Sequence, residues 1–204
     1  MKKSLLLLIA AALVMTFTFC SCGKEEKAAE KPKQEKEQQI NAEKYGYAGD
    51  DPVEAAVYKY VAQELSKDYE KADVSIPTVN IIATDLTKED DILAYGDFWI
   101  DNYKIDGDTL RAVSGGNYPG LIHLKKDGET CKAKKMDQTE DGGAFDTSAK
   151  KIFGEHYKDF VKAHSDDKNN AELRKIAVSD YVNLNGLKVT KFQDVGRDPV
   201  KLYK

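Results

Sequence analysis

Two Asp-Gly pairs, Asp106-Gly107 and Asp127-Gly128, sit inside one stretch of alternating apolar and polar residues, 91–138. Asp-Gly supplies the positive-φ residues of a two-residue hairpin turn, whose twist matches that of the flanking strands. The stretch therefore predicts two β-hairpins in series. A two-residue loop sets the register: Ile105 opposite Asp108, Tyr103 opposite Leu110, Asp101 opposite Ala112 and Ile100 opposite Val113. Side chains alternate faces along a strand. One face then carries Phe98, Ile100 and Val113. The other carries Trp99, Tyr103, Leu110 and Ala112, with Asp97, Asp101 and Ser114 among them. The second turn pairs Leu124 with Cys131 and Ile122 with Ala133, and sends His123 to the opposite face. Gly96 interrupts the first strand and marks a candidate bulge.

Helices are expected on either side of this meander. Asp51-Pro52-Val53-Glu54 combines a capping acid, a proline suited to the first helical position and a Glu placed for a capping box. Val53, Val57, Tyr60, Val61 and Leu65 follow at helical spacing, and the helix is expected to end near Glu70. Pro77 is expected to break the path before a short strand at Val79–Thr84. Ser114–Gly120 reads as an irregular loop between the hairpins, its glycines permitting a close approach of neighbouring backbone. Asp146 or Thr147 can cap a second helix with the stripe Ala149, Ile152, Phe153, Tyr157, Phe160, Val161 and His164. A third helix is expected near Ala171–Leu184, stopped by Asn185-Gly186. Leu187–Gln193 alternates like a strand, and the apolar residues Val200, Leu202 and Tyr203 suggest a docked tail.

The first residues carry an address. Lys2 and Lys3 precede an apolar run, Leu5–Phe19, of about 15 residues, which suits a secretion signal and is short for a membrane span. The run ends in Phe19-Cys20-Ser21-Cys22-Gly23, which resembles the lipobox of bacterial lipoproteins. The resemblance makes 1–21 the signal peptide and Cys22 the lipidated residue, since Ser21 before it is small. Gly23-Lys24-Glu25-Glu26 is similar to the acidic export signal of Bacteroidetes surface lipoproteins. That similarity implies the outer face of the outer membrane. Residues 22–44 are rich in Lys and Glu and carry no aromatic residue, so they read as a flexible charged tether. The folded part is expected as one domain over 45–204.

The chain has 31 Lys and Arg against 35 Asp and Glu, a formal charge of −4 that becomes −6 once Lys2 and Lys3 leave with the signal. Nucleic acid is thereby disfavoured as a partner. Of the three cysteines, Cys20 leaves with the signal and Cys22 carries lipid, so Cys131 stands alone, and its place opposite Leu124 predicts a buried, inert thiol. No catalytic residue is assigned: a Cys131–His123 pair would straddle the sheet. No metal and no cofactor is expected. Asn102–Gly107 and Asp137–Gly142 open like calcium loops, yet Val113 and Ser148 stand where the closing Glu belongs. His156 and His164 lack a third zinc ligand.

Asp97 and Asp101 are the carboxylates that share a sheet face with aromatic residues. With Trp99, Tyr103 and Tyr118, they form the candidate ligand-binding set, able to stack on a sugar or clamp a cationic peptide. The competing expectation makes Trp99 and Tyr103 core beneath a helix.

Several motifs carry a wider resemblance: Ala94-Tyr95-Gly96-Asp97-Phe98-Trp99, Gly107-Asp108-Thr109-Leu110, Ser114-Gly115-Gly116 with Pro119-Gly120, and Ala149-Lys150-Lys151-Ile152-Phe153-Gly154. With Asp180-Tyr181-Val182 and Gln193-Asp194, they make the chain from Ile92 onward look like a group of short secreted or lipidated proteins of gut bacteria. The resemblance brings no catalytic residues with it. A helix laid on such a meander is also similar to cystatin and nuclear-transport-factor-like folds. The expected fold class is α+β: an antiparallel β-meander of about five strands with helices packed on one face. The expected function is a lipid-anchored binding or interaction module with a glycan, peptide or protein ligand. The alternatives are a small enzyme with a pocket under the helices, or an inhibitor of peptidases or cell-wall hydrolases acting through Ser114–Gly120.

Overall fold

A computed structural model describes residues 46–204. The signal, Cys22 and the tether lie outside the described residues. Helix α1 (Pro52–Glu64) starts where expected: the Asp51 carboxylate accepts from Val53 N at 2.8 Å and Glu54 N at 2.9 Å. Glu54 does not complete a capping box. It accepts instead from the Tyr47 hydroxyl at 2.6 Å. A short 3-10 turn, Leu65–Asp68, carries the chain toward the sheet.

Among the described residues seven strands form one sheet: β1 (Val74–Asp85), β2 (Ile92–Asp106), β3 (Thr109–Asn117), β4 (Gly120–Asp127), β5 (Thr130–Gln138), β6 (Lys191–Gln193) and β7 (Val200–Lys201). The long β2 is its spine. On one side it pairs along most of its length with β1; on the other, its C-terminal half pairs with β3 and its N-terminal half with β4. β5 then lines β4, and β6 runs parallel to β3 over three residues.

Both hairpins form, each slipped by one residue. Gly107-Asp108 and Gly128-Glu129 make the loops, closed by Asp106 opposite Thr109 and Asp127 opposite Thr130. Glycine thus takes the first loop position, with φ +58° at Gly107, where the turn needs it. The slip moves each partner by two residues, so side chains keep their faces. Cys131 consequently faces Lys126 and not Leu124, yet still packs on the apolar core, half-buried, and burial raises its thiol pKa. A bulge between Tyr103–Ala112 and Asn102–Ser114 then transfers Ser114 to the opposite face from the one expected. The irregularity anticipated at Gly96 lies on its neighbour, between Ile81 and Ala83 of β1.

Three further expectations are corrected. Pro77 lies inside β1 and does not end it, because β1 is an edge strand and its outer side needs no ladder N–H. Ser114–Gly120 is not a free loop: β3 and β4 run as nearly one strand along β2, broken only at Tyr118-Pro119. The expected second helix is two, α2 (Phe145–Phe153) and α3 (Tyr157–His164), because Gly154 sits at φ +51° between them. The last helix, α4 (Asp167–Leu184), begins a turn earlier than anticipated, capped by Asp166. The tail docks, with Tyr203 N donating to Ser179 Oγ at 2.9 Å.

The α+β class is as expected, with more strands and with helices on both faces. Alternation along β2 explains the second difference. Ile92, Ala94, Phe98 and Ile100 bury against Val53, Val57 and Val61 of α1. The odd-numbered residues face the other way. Tyr95 packs with Phe153 and Phe160 of α2 and α3, and Tyr103 with Val178, Tyr181 and Val182 of α4. A strand apolar on both sides must be covered on both sides.

Candidate functional site

Asp97, Trp99, Asp101 and Tyr103 share the odd face of β2, beneath α3 and α4. Tyr118 does not join them. It stands opposite Phe98, its amide donating to Phe98 O at 2.7 Å, and therefore shares the α1 face. There its hydroxyl lies 2.6 Å from that of Tyr69.

Two charge clusters flank Trp99. In the first, the fully buried Asp97 accepts from Asn117 Nδ2 at 2.6 Å and lies 2.8 Å from Nδ1 of His164, the last residue of α3. Burial raises the Asp97 pKa, while Asn117 and His164 act to lower it. The His164 ring packs on Phe145 and Phe160, with centroids at 5.5 and 5.2 Å, and its side chain stays 35% exposed. A buried carboxylate on Nδ1 orients an imidazole and leaves its other nitrogen for a partner.

In the second cluster, Arg174 of α4 grips Asp194 with two parallel bonds of 2.8 and 2.7 Å. Its Nε lies 3.0 Å from Asp101 Oδ2. The buried Tyr103 hydroxyl accepts from the same guanidinium at 3.0 and 3.2 Å. Only Arg can present so many donors in one plane. Burial pushes the Asp101 carboxyl up to about 6; Arg174 opposes that rise and the neighbouring Asp194 adds to it.

Trp99 sits between the two, half-buried, opposite Thr78 of β1 and Asn117 of β3. It makes no hydrogen bond among the described residues, whereas the acids on either side of it are engaged. Thr78 Oγ1, Asn80 Nδ2 and Asn170 Oδ1 are buried without a hydrogen-bond partner among the described residues. Thr78 faces Trp99 across the strand pair and Asn80 faces Asp97. Asn170 lies against the end of α3, donating to the His164 carbonyl at 3.2 Å. Native interiors seldom leave such atoms unsatisfied. Thr78 and Asn80 thus stand opposite Trp99 and Asp97, which makes this the candidate ligand face. A shallow hollow of ≈ 270 Å³ adjoins it, lined by Arg111, Gln193, Asp194 and Val195.

Strand alternation puts four of these residues on one face and leaves their partners unspecified. His164 was legible only as the end of a helical stripe. Nothing in their spacing marks Asn117 or Arg174 as their complements. His123, on β4, forms a separate bridge, with Nδ1 3.0 Å from Asp91 and Nε2 3.0 Å from Asp137. The ring can donate to both only when protonated.

Fold and site together define an α+β protein whose sheet carries a polar, tryptophan-centred face beneath two helices. No family model, no curated protein and no solved structure matches this chain.

Proposed function

We propose that this chain is a lipid-anchored binding module of a bacterial cell envelope, presenting the Trp99 face to a ligand. Support for the anchor is the order of basic start, apolar run, Ser21-Cys22 and Lys/Glu-rich tether. The outer face of the outer membrane is the location the Lys24-Glu25-Glu26 pattern favours. The resemblance to short secreted or lipidated proteins of gut bacteria agrees with that placement.

One observation carries the binding reading: a half-buried indole with no hydrogen-bond partner among the described residues, flanked by two satisfied ion pairs. Partial burial restricts the ring before a ligand arrives, so stacking on it costs less further ordering than on a free side chain. Glycans and peptides both offer suitable partners. Trp99 is the single tryptophan in the chain, so its emission reports on the face directly. Red-shifted emission that acrylamide quenches readily, and that changes when glycans or peptides are titrated, supports the reading. Blue emission protected from acrylamide overturns it.

A second reading has its own observation. His164 is oriented by the buried Asp97 and partly exposed, the arrangement of a general base, and this favours a small enzyme. His164→Gln that abolished a turnover while leaving ligand binding intact would select it.

A further inference from the structure

The outer side of β3 is interrupted. β5 lines β4 as far as Gln138 opposite Gly120, and Thr139 N then donates to Pro119 O at 3.0 Å. On the other flank β6 reaches only Gln193 opposite Arg111. Between these ends, Ala112 to Asn117 have β2 on one side and no strand on the other among the described residues. The chain is exposed here although it lies within the sheet: Val113 is 49% exposed, and Ser114 and Gly115 are exposed too.

The ladder with β2 tells which groups face the gap. Tyr118 N donates to Phe98 O, so Trp99–Asn117 is a pair whose backbone groups point away from each other. Two residues along, Asp101–Gly115 is another. The N–H and C=O of Gly115 and Asn117 therefore point out into the gap, with no backbone partner among the described residues. Gly115 is small for a reason: a Cβ there would lie 2.8 Å from Ile100 O and 3.0 Å from Asp101 Oδ1. The Asp101 carboxylate thus overlies the strand at this point.

We infer that this gap is a slot for an extended, basic peptide, which adds a short strand between the ends of β5 and β6. The inference rests on the binding-module reading and names its partner. Backbone pairing would come from Gly115 and Asn117, the usual source of affinity when a peptide extends a sheet. Charge sets the sign of its side chains. Asp101 and Asp194 border the slot and share one guanidinium, that of Arg174. Glu140 and Asp141, both exposed, follow the end of β5. Lys or Arg at alternate positions of the peptide meets this acidic rim, and Trp99 lies beside the same strand to take a cation on its face. The bulge at Val113 closes the ladder toward β6, so the paired segment is about four residues.

The experiment uses the ¹⁵N-labelled full chain in detergent micelles. The probe is a capped pentapeptide of alternating Lys and Val. The controls are the same peptide N-methylated at alternate backbone positions, and a Glu/Val version. Amide exchange at Gly115 and Asn117 should slow at least ~10-fold with the Lys/Val probe at millimolar concentration, and stay unchanged with either control. Unchanged exchange with the Lys/Val probe overturns the inference, as does equal protection by the N-methylated peptide. Protection that rises with protein concentration alone would give the edge to a second copy of the chain and also overturns it. Trp99 emission separates the two readings. Protection at Gly115 and Asn117 with Trp99 unmoved keeps the slot and removes the tryptophan platform. A ligand that shifts Trp99 without protecting these amides does the reverse.

Discussion

His164 Nδ1 lies 2.8 Å from a carboxylate, that of Asp97, with no exposure to solvent, while the histidine ring itself is one-third exposed. The pair ties the last turn of α3 to the centre of the sheet. A buried acid with two partners is costly to disturb from either end, and more so from the buried one.

Asp97→Ala should therefore destabilise the protein by about 3 kcal/mol, because it strands Asn117 and His164 and opens a polar void. His164→Ala, at the exposed end, should cost about 1 kcal/mol less than that. Urea unfolding of both variants measures the difference. Equal costs would mean that Asp97 takes no special role in holding α3 down.

The Asp101 carboxyl, with its folded pKa raised to about 6, binds its proton more tightly than an unfolded Asp does. Its contribution to stability is fully present below the unfolded value near 4 and is lost as pH rises through about 6. Asp101→Asn should flatten the stability profile between about pH 4 and 6 and stabilise the protein at pH 8 by about 1–2 kcal/mol. Chemical denaturation at a series of pH values tests this. A variant less stable than the parent at pH 8 would show that the Arg174–Asp101 attraction outweighs burial.

Gly96 and Gly120 face each other across β2 and β4. A Cβ on Gly120 would stand 2.5 Å from the carbonyl oxygen of Asp137, which is backbone and cannot rotate away. Gly120→Ala should cost about 2–3 kcal/mol and loosen β5 from β4. Gly107→Ala meets nothing within 4 Å and carries only its φ of +58°, so it should cost nearer 1 kcal/mol. Hydrogen exchange across β5 distinguishes the two, since only the first should raise exchange there.

Cys22→Ala should release the protein from the membrane fraction into the soluble one. Detergent phase partition of the two forms checks it. Unchanged partition would rule out Cys22 as the anchor.

Much of the scaffold was legible because its causes are local. Asp51-Pro52 starts α1 through its own carboxylate, and the glycines after Asp106 and Asp127 supply the turn conformation wherever those hairpins end up. The turns slipped by one residue, yet the even shift left Asp97, Trp99, Asp101 and Tyr103 on one face, as their spacing predicts. Pro77 misled because a proline breaks a central strand but not an edge, and nothing nearby in the chain says which strand is an edge. Tyr118 misled because the Val113 bulge and the break at Pro119 change what its neighbours imply.

Alternation, turn chemistry and helix caps act over a few residues, and so the sequence alone determined that a long strand would carry two acids and two aromatic rings on one side. Whether those acids were free or engaged lay with the tertiary structure. The groups that engage them come from β3, α3 and α4, up to 73 positions away in the case of Arg174 and Asp101. An ion pair's worth depends on burial and on the exact neighbours that replace water. Those exist only once the helices have closed over the sheet, which among the described residues leaves Trp99 without a hydrogen-bond partner and one side of β3 open between the ends of β5 and β6.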